Sequence, residues 1–498
     1  MKEHDDGNDG RKKPFYENIA AKASRKRTGK PVHAHPPRGA GRDADGKPPR
    51  RDGDSRPARG AYADRGADGK PPRRDGDSKS RPHRAFAGPA LGDPVFGTLG
   101  NEARELLASF QEIAQTAMPL DSKKLQELPT VVRDLSHSLT DERSERRLGY
   151  MNDPANLSAY VRYFMWWNLV RLTRLFVSTD FRLKDGDAAC DLGSGPLTIP
   201  VALWIARPDL RALDLTWYCV DISQNALAAG EELFLSLAAK TGGEPWKIVR
   251  VKGSFGVSLK RRVELVASAN MFNEVALDGD EPIESVAKRL AGDLASYASE
   301  DGSVLVIEPG IPRAARFISL LRDSLASLGL SPVSPCPHDG PCPFPGLRHG
   351  KWCHFAFDAS DAPPRLRRLS EDANLPKDRA ALSFVLSRRR SGEAEAAASP
   401  DGTALETVAR LASRFTGMMV RIVSDPIKLP DYYTGRYGCS ERGMVLVCGT
   451  YGAADWLATC HSGSLIEVPR PDKRRPERDP KTDAILIRLN ESARRDDR

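Results

Sequence analysis

A regular alternation of short apolar runs with helical stretches between residues 187 and 328 limits the folds open to this chain more than any other feature. Strands that alternate with helices in this way predict an α/β fold with a doubly wound, mainly parallel sheet. The predicted strands are 188–192, 216–220, 247–251, 264–267 and 303–307, and the predicted helices are 196–206, 224–239, 281–299 and 312–328. Two later apolar runs, 352–357 and 380–386, would complete a seven-stranded sheet.

Residues 96–182 form a predicted helical N-terminal region. Amphipathic stretches begin at residues 101 and 125, and 160–177 reads as one strongly apolar helix. We interpret the aromatic side chains of 160–177 as helix packing, which is commoner than a cofactor-binding role. Beyond the α/β domain, predicted at 183–390, a linker at 391–403 leads to a small β-rich module at 404–498. Its predicted strands are 418–423, 443–448 and 483–488.

The first 95 residues are predicted to be a disordered basic arm. Residues 1–90 hold 23 Lys and Arg against 13 Asp and Glu, while the other 408 residues hold 52 against 54. Few large apolar side chains are present to offset chain entropy. The arm repeats ADGKPPRRDGDS at 44–55 and 67–78, a unit too short and polar for a solenoid. Binding to RNA phosphates and a purely solvating role both remain open for it.

Composition excludes several other classes of protein. No run of about 18 uncharged apolar residues is present, so no membrane span is expected. The N-terminus lacks the apolar stretch of a secretory signal. Eight cysteines among 498 residues are too few for a disulfide scaffold. These features predict a protein of a reducing compartment, the cytoplasm.

A glycine-rich turn, Asp191-Leu192-Gly193-Ser194-Gly195-Pro196, follows the first predicted strand. Glycines there let the backbone turn tightly and approach a ligand closely. Asp221 ends the second strand, where a carboxylate can accept both hydroxyls of a ribose. Thr198 replaces the third glycine of the dinucleotide fingerprint, which disfavours NAD, and no P-loop motif is present.

The turn fits the S-adenosylmethionine (SAM) site of class I methyltransferases, whose first motif reads D/E-x-G-x-G-x-G. Asp191, Gly193 and Gly195 match it, with Ser194 between the glycines, whereas Leu197 replaces the last glycine. We expect Leu197 to narrow the space beside the methionine part of the cofactor. An α/β turn without a ligand is the alternative.

The methyl acceptor of a class I enzyme lies where the fourth strand ends, here at Ser268-Ala269-Asn270-Met271-Phe272-Asn273-Glu274. Neither an N-P-P-[YF] motif nor a cysteine nucleophile occurs there. We take Asn270 as a candidate for cofactor binding and identify no catalytic residue. These polar residues could instead cap the following helix.

Cysteines cluster at 335–355, which reads PCPHDGPCPFPGLRHGKWCHF. Cys336, Cys342 and Cys353 do not have the C-x2-C spacing of zinc ribbons. A fourth ligand must come from elsewhere, and Cys439 is the best candidate, with Cys448 close by. Four thiolates suit tetrahedral zinc or a [4Fe–4S] cluster, and the residues alone do not choose.

Taken in order, these motifs resemble a family of methyltransferase-like assembly factors of the small ribosomal subunit, mitochondrial in eukaryotes. The resemblance covers about 100–450 and is most specific in C-P-H…C-P…W-C-H-F. It implies a class I, Rossmann-like methyltransferase fold and a [4Fe–4S] cluster on Cys336, Cys342 and Cys353. It also implies Cys439 as the fourth ligand, from the similarity of Cys-Ser-Glu-Arg-Gly to the family's C-x-x-x-G. Bacterial members carry the provisional description of rRNA methyltransferases.

The sequence therefore leaves three functions open. One is SAM-dependent methylation of small-subunit rRNA, and the second is a non-catalytic assembly factor with a degenerate SAM site. The third is an RNA-binding protein with zinc in place of the cluster. The predicted partner is the small ribosomal subunit or its rRNA, with no membrane and no DNA. The cysteine loop is expected between the fifth and sixth strands, where its metal would hold the C-terminal module against the α/β domain.

Overall fold

Helices fill most of the N-terminal region, as the apolar spacing predicts. The computed structural model of the chain describes residues 86–140 except 87 and 90, 149–275, 277, 281–344, 350–389, 417–471 and 475–489. The first elements are β1 (Leu91–Gly92), α1 (Asn101–Ala108), α2 (Phe110–Ala117), α3 (Ser122–Thr140), α4 (Pro154–Ala159) and α5 (Trp166–Val177). A 3-10 turn, Tyr150–Asn152, precedes α4, and a π-helical turn, Tyr160–Met165, joins α4 to α5.

A buried arginine ties these helices together. The Arg162 guanidinium donates to the carbonyl oxygens of Ala114 and Met118 and to the side chain of Gln115. These acceptors lie at the C-terminal end of α2, where carbonyl groups lack helical partners and a cation is favoured. Arg162 therefore caps α2 from the π-helical turn.

Most of the predicted basic arm, 1–95, and the predicted linker, 391–403, lie outside the described residues. The end of the arm departs from the prediction, since Leu91–Gly92 form a strand that pairs antiparallel with Leu465 and Ile466. The division of the chain into domains otherwise stays a prediction.

The α/β region forms an eight-stranded sheet flanked by helices. Its strands are β2 (Ala188–Leu192), β3 (Thr216–Asp221), β4 (Lys247–Lys252), β5 (Val263–Ala269), β6 (Ala298–Pro309), β7 (Leu330–Ser334), β8 (Phe355–Asp358) and β9 (Arg379–Arg389). Its helices are α6 (Thr198–Ala206), α7 (Gln224–Thr241), α8 (Phe272–Val275), α9 (Ile283–Tyr297), α10 (Pro312–Ser327) and α11 (Pro364–Asp372). The five predicted strands and four predicted helices between 187 and 328 are confirmed.

The strand order is β4-β3-β2-β5-β6-β9-β7, with β8 attached to β9. Strands β2 to β6 pair in parallel, and β9 runs antiparallel to β6 and β7. This order, with an antiparallel seventh strand between the fifth and sixth, is that of class I methyltransferases, so the predicted fold is confirmed. From β2 the chain winds to β3 on one side and later to β5 on the other. A ligand crevice is expected at the carboxyl ends of these strands.

The sixth strand is not the one predicted from sequence. It is β7, an edge strand, whereas the predicted strand 352–357 shrinks to β8 and pairs only with β9. Pro332 lies within β7 and has no backbone N–H to donate. An edge strand tolerates this, but a proline lowers the strand propensity of the sequence, so the strand was not predicted. The cysteine loop consequently follows the sixth strand instead of preceding it.

The C-terminal residues form a second sheet. Its elements are β10 (Met418–Ile422), β11 (Ile427–Lys428), β12 (Thr434–Ser440), β13 (Gly443–Gly449), α12 (Tyr451–Thr459), β14 (Leu465–Val468) and β15 (Ile485–Leu489). The order is β1-β14-β10-β12-β13-β15, with β11 beside β12. Three of these strands, β10, β13 and β15, lie where the sequence predicts them.

Strand β12 was not predicted, because two glycines break its apolar pattern. A β-carbon on Gly438 would lie 2.3 Å from Val420 Cγ1, and one on Gly435 would lie 2.7 Å from Leu429 Cδ1. Close packing against neighbouring strands thus requires the same glycines that lower strand propensity.

Backbone and ionic contacts join the two sheets. The Ala356 N–H donates to Ser462 Oγ at 3.2 Å, and Arg379 pairs with both carboxylate oxygens of Asp425 at 2.6 and 2.7 Å. Among the described residues, no helix is both long enough and apolar enough to cross a membrane.

Candidate cofactor site and cysteine site

The glycine turn lies at the carboxyl end of β2 and adopts left-handed backbone conformations. Gly193 has φ of 70° and Gly195 has φ of 52°. The N–H groups of Gly193 and Ser194 donate to the Val220 carbonyl at 2.9 and 3.0 Å, which fixes the turn against β3. A β-carbon on Gly193 would lie 2.6 Å from Met271 Cγ. Both glycines are therefore needed, and the turn forms a cradle that a side chain would fill.

Two buried carboxylates hold this turn. Asp221 accepts the Gly195 N–H at 2.9 Å on one oxygen and the Ser223 N–H at 2.8 Å on the other. Asp191 accepts the Ser194 hydroxyl at 2.7 Å. Burial raises the pKa of Asp221, and it raises the pKa of Asp191 to about 7 although the Ser194 hydroxyl opposes the shift. Since a carboxylate has about four lone-pair positions, Asp221 retains capacity for ribose hydroxyls.

Leu197 occupies the position of the missing third glycine. It keeps a left-handed φ of 58° and is fully buried. Its Cδ1 lies 2.6 Å from where a β-carbon on Gly230 would be, so the side chain packs on α7. The hydrophobic core therefore accommodates the Leu197 side chain. This geometry does not support the expectation that Leu197 narrows the space beside the methionine part of the cofactor.

The predicted acceptor edge lies at the carboxyl end of β5. Asn270 adopts a left-handed φ of 59°, and its N–H donates to the Ile307 carbonyl at 2.8 Å. The fully buried Glu308 accepts the N–H groups of Phe272 and Asn273 at 2.9 and 3.1 Å. Burial raises the pKa of Glu308 to about 8, against the effect of these two bonds. Glu308 thus fixes the backbone that follows Asn270.

The N-terminal helices contribute residues that sequence reasoning missed. Burial raises the pKa of the Tyr160 hydroxyl, and the neighbouring carboxylates of Glu274 and Asp221 raise it further. The Tyr160 ring stacks on Phe164, with centroids 5.7 Å apart. Tyr160 therefore lies within electrostatic range of both carboxylates as well as packing the helices. No sequence signal marked it, because the π-helical turn that carries it, a kind of turn frequent at functional sites, is visible only in the structure.

The 3-10 turn before α4 lies across the glycine turn. Asn152 accepts the Ser223 hydroxyl at 2.8 Å and, through its carbonyl, the Asn225 side-chain amide at 3.1 Å. Met151 Cε lies 3.6 Å from where a β-carbon on Gly195 would be. The N-terminal region thus covers the crevice at the end of β2 and β3.

The four predicted metal ligands belong to the cysteine loop and to the second sheet, and one contact links the two: His338 Nε2, in the loop, lies 3.1 Å from Cys439 Sγ. Cys336, Cys342 and Cys353 lie in the loop between β7 and β8, and Cys439 lies in β12. Burial raises the pKa of the Cys439 thiol, and the thiols of the other three raise it further.

The pKa of Cys448, the alternative fourth ligand, is affected by a different charged group. Burial raises its pKa to about 11, and the Arg488 guanidinium opposes the shift. The contact with His338 brings Cys439 to the cysteine loop, and the choice of Cys439 as the fourth ligand stays a prediction.

Two arginines absent from the sequence analysis border the thiols. Arg322, from α10, donates to the His338 carbonyl at 2.8 Å and pairs with Asp323 at 2.6 Å. Arg421, from β10, donates to the Pro335 carbonyl at 2.9 Å. Both guanidinium groups oppose the rise that burial causes in the pKa of Cys336, so positive charge faces the sulfur atoms. Within the described residues, no group of three or more His, Cys, Asp or Glu side chains is arranged to hold a metal ion.

In a comparison with known proteins, one family model matches the part of the chain that carries the glycine turn and the cysteine loop. A family model described as "Mitochondrial small ribosomal subunit Rsm22" matches residues 187–428, a little less than half of the chain. No curated protein matches significantly.

Many solved structures are similar, at low identity. A Pyrococcus furiosus methyltransferase is 12% identical over 45% of this chain and 83% of its own, with a TM-score of 0.26. A Geobacter sulfurreducens SAM-dependent methyltransferase with bound S-adenosyl-L-homocysteine is 13% identical over 45% and 90%, with a TM-score of 0.26. The YcgJ protein from Bacillus is 11% identical over 45% and 100%, also at 0.26.

The strand order of the first sheet, and not these likenesses, identifies the methyltransferase fold. Together with the family match, it confirms over residues 187–428 the resemblance to a methyltransferase-like factor of the small ribosomal subunit.

Proposed function

We propose that this protein binds SAM at the glycine turn and acts on the rRNA of the small ribosomal subunit. One observation carries the proposal: two left-handed glycines lie at the end of β2 beside a carboxylate at the end of β3, in a chain that matches the Rsm22 family model. A cytoplasmic location and the absence of a DNA partner stay predictions.

Both backbone and side-chain groups of these residues would contact SAM. Gly193 and Gly195 would let the backbone approach the cofactor, and Asp221 would accept its ribose hydroxyls. Asn270 and Tyr160 would border the methionine part and the methyl acceptor. Bound SAM supplies an activated methyl group. In-line transfer needs positioning and a dry site more than a general base, so no base is assigned.

We also propose a [4Fe–4S] cluster on Cys336, Cys342, Cys353 and Cys439. Four thiolates around such a cluster carry net negative charge, which the buried Arg322 and Arg421 would offset. The 3.1 Å contact between His338 Nε2 and Cys439 Sγ, which brings the fourth cysteine to the loop that carries the other three, supports this proposal. The cluster would hold the second sheet against the first.

A non-catalytic assembly factor is the second candidate. It is favoured by the Met271 side chain, which follows Asn270 and lies directly against Gly193. A side chain in that position occupies space next to the turn. In this case the methyltransferase fold would serve to bind the small subunit.

Paired glycine substitutions test the proposal. Gly193→Ala places a β-carbon against Met271, whereas Gly186→Ala carries a similar backbone strain at φ of 81° with no atom within 4 Å. We expect wild type and Gly186→Ala to bind SAM in calorimetry and to sediment with small subunits. Gly193→Ala should lose SAM binding by more than about tenfold. Equal SAM affinity in both variants would place the cofactor elsewhere, and failure of wild type to sediment with small subunits would refute the partner.

A further inference from the structure

A histidine side chain contacts a cysteine sulfur at the cysteine site. His338 Nε2 lies 3.1 Å from Cys439 Sγ, within hydrogen-bonding range for sulfur. The two residues are 101 positions apart, and both are buried. His338 lies in the loop that follows β7 of the first sheet, and Cys439 lies in β12 of the second sheet. The contact is therefore a product of the tertiary fold.

The position of His338 is fixed from the neighbouring helix. Arg322 of α10 donates to the His338 carbonyl at 2.8 Å, and the adjacent Asp323 accepts the Cys342 N–H at 3.2 Å. One turn of α10 thus anchors two points of the cysteine loop. This places the imidazole beside Cys439 without requiring it to be a ligand.

The chemistry of the pair determines the direction of the bond once Cys439 ligates a cluster. A thiolate has no proton, so it can only accept, and Nε2 must then carry the hydrogen. Hydrogen bonds to ligating sulfur atoms, together with net charge and exposure, set the reduction potential of iron–sulfur clusters. A donor stabilises the reduced form more, because that form is more negative.

Resting on the proposed cluster, we propose that His338 donates a hydrogen bond from Nε2 to the Cys439 sulfur and thereby raises the reduction potential of the cluster. His338 is a positioning and tuning residue, and Cys439 remains the ligand. Arg322 and Arg421 act in the same direction, since the positive charge of each stabilises negative charge on the Cys336 sulfur.

The test compares three variants of the full chain purified without oxygen. His338→Phe removes the donor, whereas His338→Gln keeps an amide N–H near the position of Nε2. His354→Phe is a matched control, because His354 lies in the same loop and stacks on Trp352 at 5.1 Å. Iron and acid-labile sulfide are measured first. The midpoint potential then follows from a redox titration monitored by electron paramagnetic resonance, and the cluster lifetime from absorbance in air.

We expect the midpoint potential of His338→Phe to be more negative than that of wild type and its cluster to decay about fivefold faster in air. His338→Gln should restore most of both properties, and His354→Phe should match wild type. If His338→Phe holds no cluster, a wild-type potential in His338→Gln still supports the donor role.

Unchanged potential and lifetime in a cluster-bearing His338→Phe would overturn the inference while leaving the cluster intact. A His338→Gln variant as impaired as His338→Phe would also overturn it. Wild-type protein with neither iron nor sulfide would refute the cluster proposal itself.

Discussion

The glycine turn and the cysteine site differ in how completely the chain satisfies its own polar groups. At the glycine turn, backbone N–H groups and a hydroxyl bond both buried carboxylates, and strand and helix ends close in sequence supply the parts. At the cysteine site, four thiols of raised pKa lie in the cysteine loop and in β12, beside buried arginines. The first site is complete without a ligand, whereas the second gathers groups that a bound metal centre would satisfy.

This difference indicates on which of the two sites the stability of the fold depends. Loss of SAM should leave the protein folded, because the turn is held by its own hydrogen bonds. Loss of the metal centre should loosen the contact between the sheets, because the binding free energy of a structural metal is also folding free energy.

Loss of the fourth ligand is the largest expected effect. Cys439→Ser should abolish iron binding and lower the free energy of unfolding by more than about 4 kcal/mol, as expected for losing a structural metal. Cys448→Ser is the matched control, since Cys448 is buried in the adjacent strand but does not face the loop. Denaturant unfolding of both variants, with iron analysis, checks this. Equal losses of stability and iron in the two variants would mean that Cys439 is no more important to the fold than Cys448.

Removal of Arg421 should have the next largest effect. Its buried guanidinium donates to the carbonyls of Pro335, Asp93 and Gly463, so Arg421→Met removes three hydrogen bonds made by a buried cation. We expect a loss of about 3 kcal/mol in the free energy of unfolding, together with weaker iron retention.

The exposed pair of Arg379 with Asp425 joins the same two sheets and serves as the control. Its side chains are 49% and 54% exposed, so Arg379→Met should cost less than about 1 kcal/mol. A larger loss there than in Arg421→Met would mean that surface pairing, not the buried cation, joins the sheets.

The variant Leu197→Gly tests how the glycine turn contributes to stability and to SAM binding. The change relieves left-handed strain of about 1–2 kcal/mol but deletes a fully buried side chain. We expect a net loss of about 2 kcal/mol in unfolding free energy and a change in SAM affinity below about twofold. Thermal unfolding and calorimetry measure the two quantities. A tenfold gain in affinity would show that Leu197 obstructs the cofactor after all.

The smallest expected effect is a pH dependence from Glu308. Its pKa rises from 4.5 to about 8 on folding, so the folded protein binds this proton more tightly than the unfolded chain. The resulting stabilisation is full below pH 4.5 and is lost as pH rises through 8. The stability of wild type relative to Glu308→Gln should therefore fall by about 1 kcal/mol or more between pH 6 and 8.5 in urea unfolding. A constant difference would mean that Glu308 stays ionised.

Much of the first sheet follows from the sequence because its parallel strands are buried and read as apolar runs. The turn residues Asp191, Gly193, Ser194 and Gly195 could be placed for the same reason, since a strand end and a helix start define them locally. Strands β7 and β12 escape this reasoning because Pro332 and two glycines serve packing needs that only neighbouring strands reveal.

The surroundings of the cysteine site could not be predicted in the same way. Arg322 and Arg421 reach the cysteine loop through pairing between distant segments, and no local pattern marks them. His338 lies in the C-P-H motif, but its contact with Cys439 depends on the tertiary fold. Tyr160 was hidden for another reason. Its apolar neighbours predict a packed helix correctly, and only the tertiary fold brings its hydroxyl within electrostatic range of Asp221 and Glu274.

Transfer of a labelled methyl group from SAM to small subunits from a strain without this gene tests the central claim most directly. With protein purified without oxygen, the account predicts label in small-subunit rRNA for wild type and Gly186→Ala and none for Gly193→Ala. Unlabelled rRNA, with wild-type protein bound both to SAM and to the particles, would contradict methylation and leave the non-catalytic assembly factor as the function.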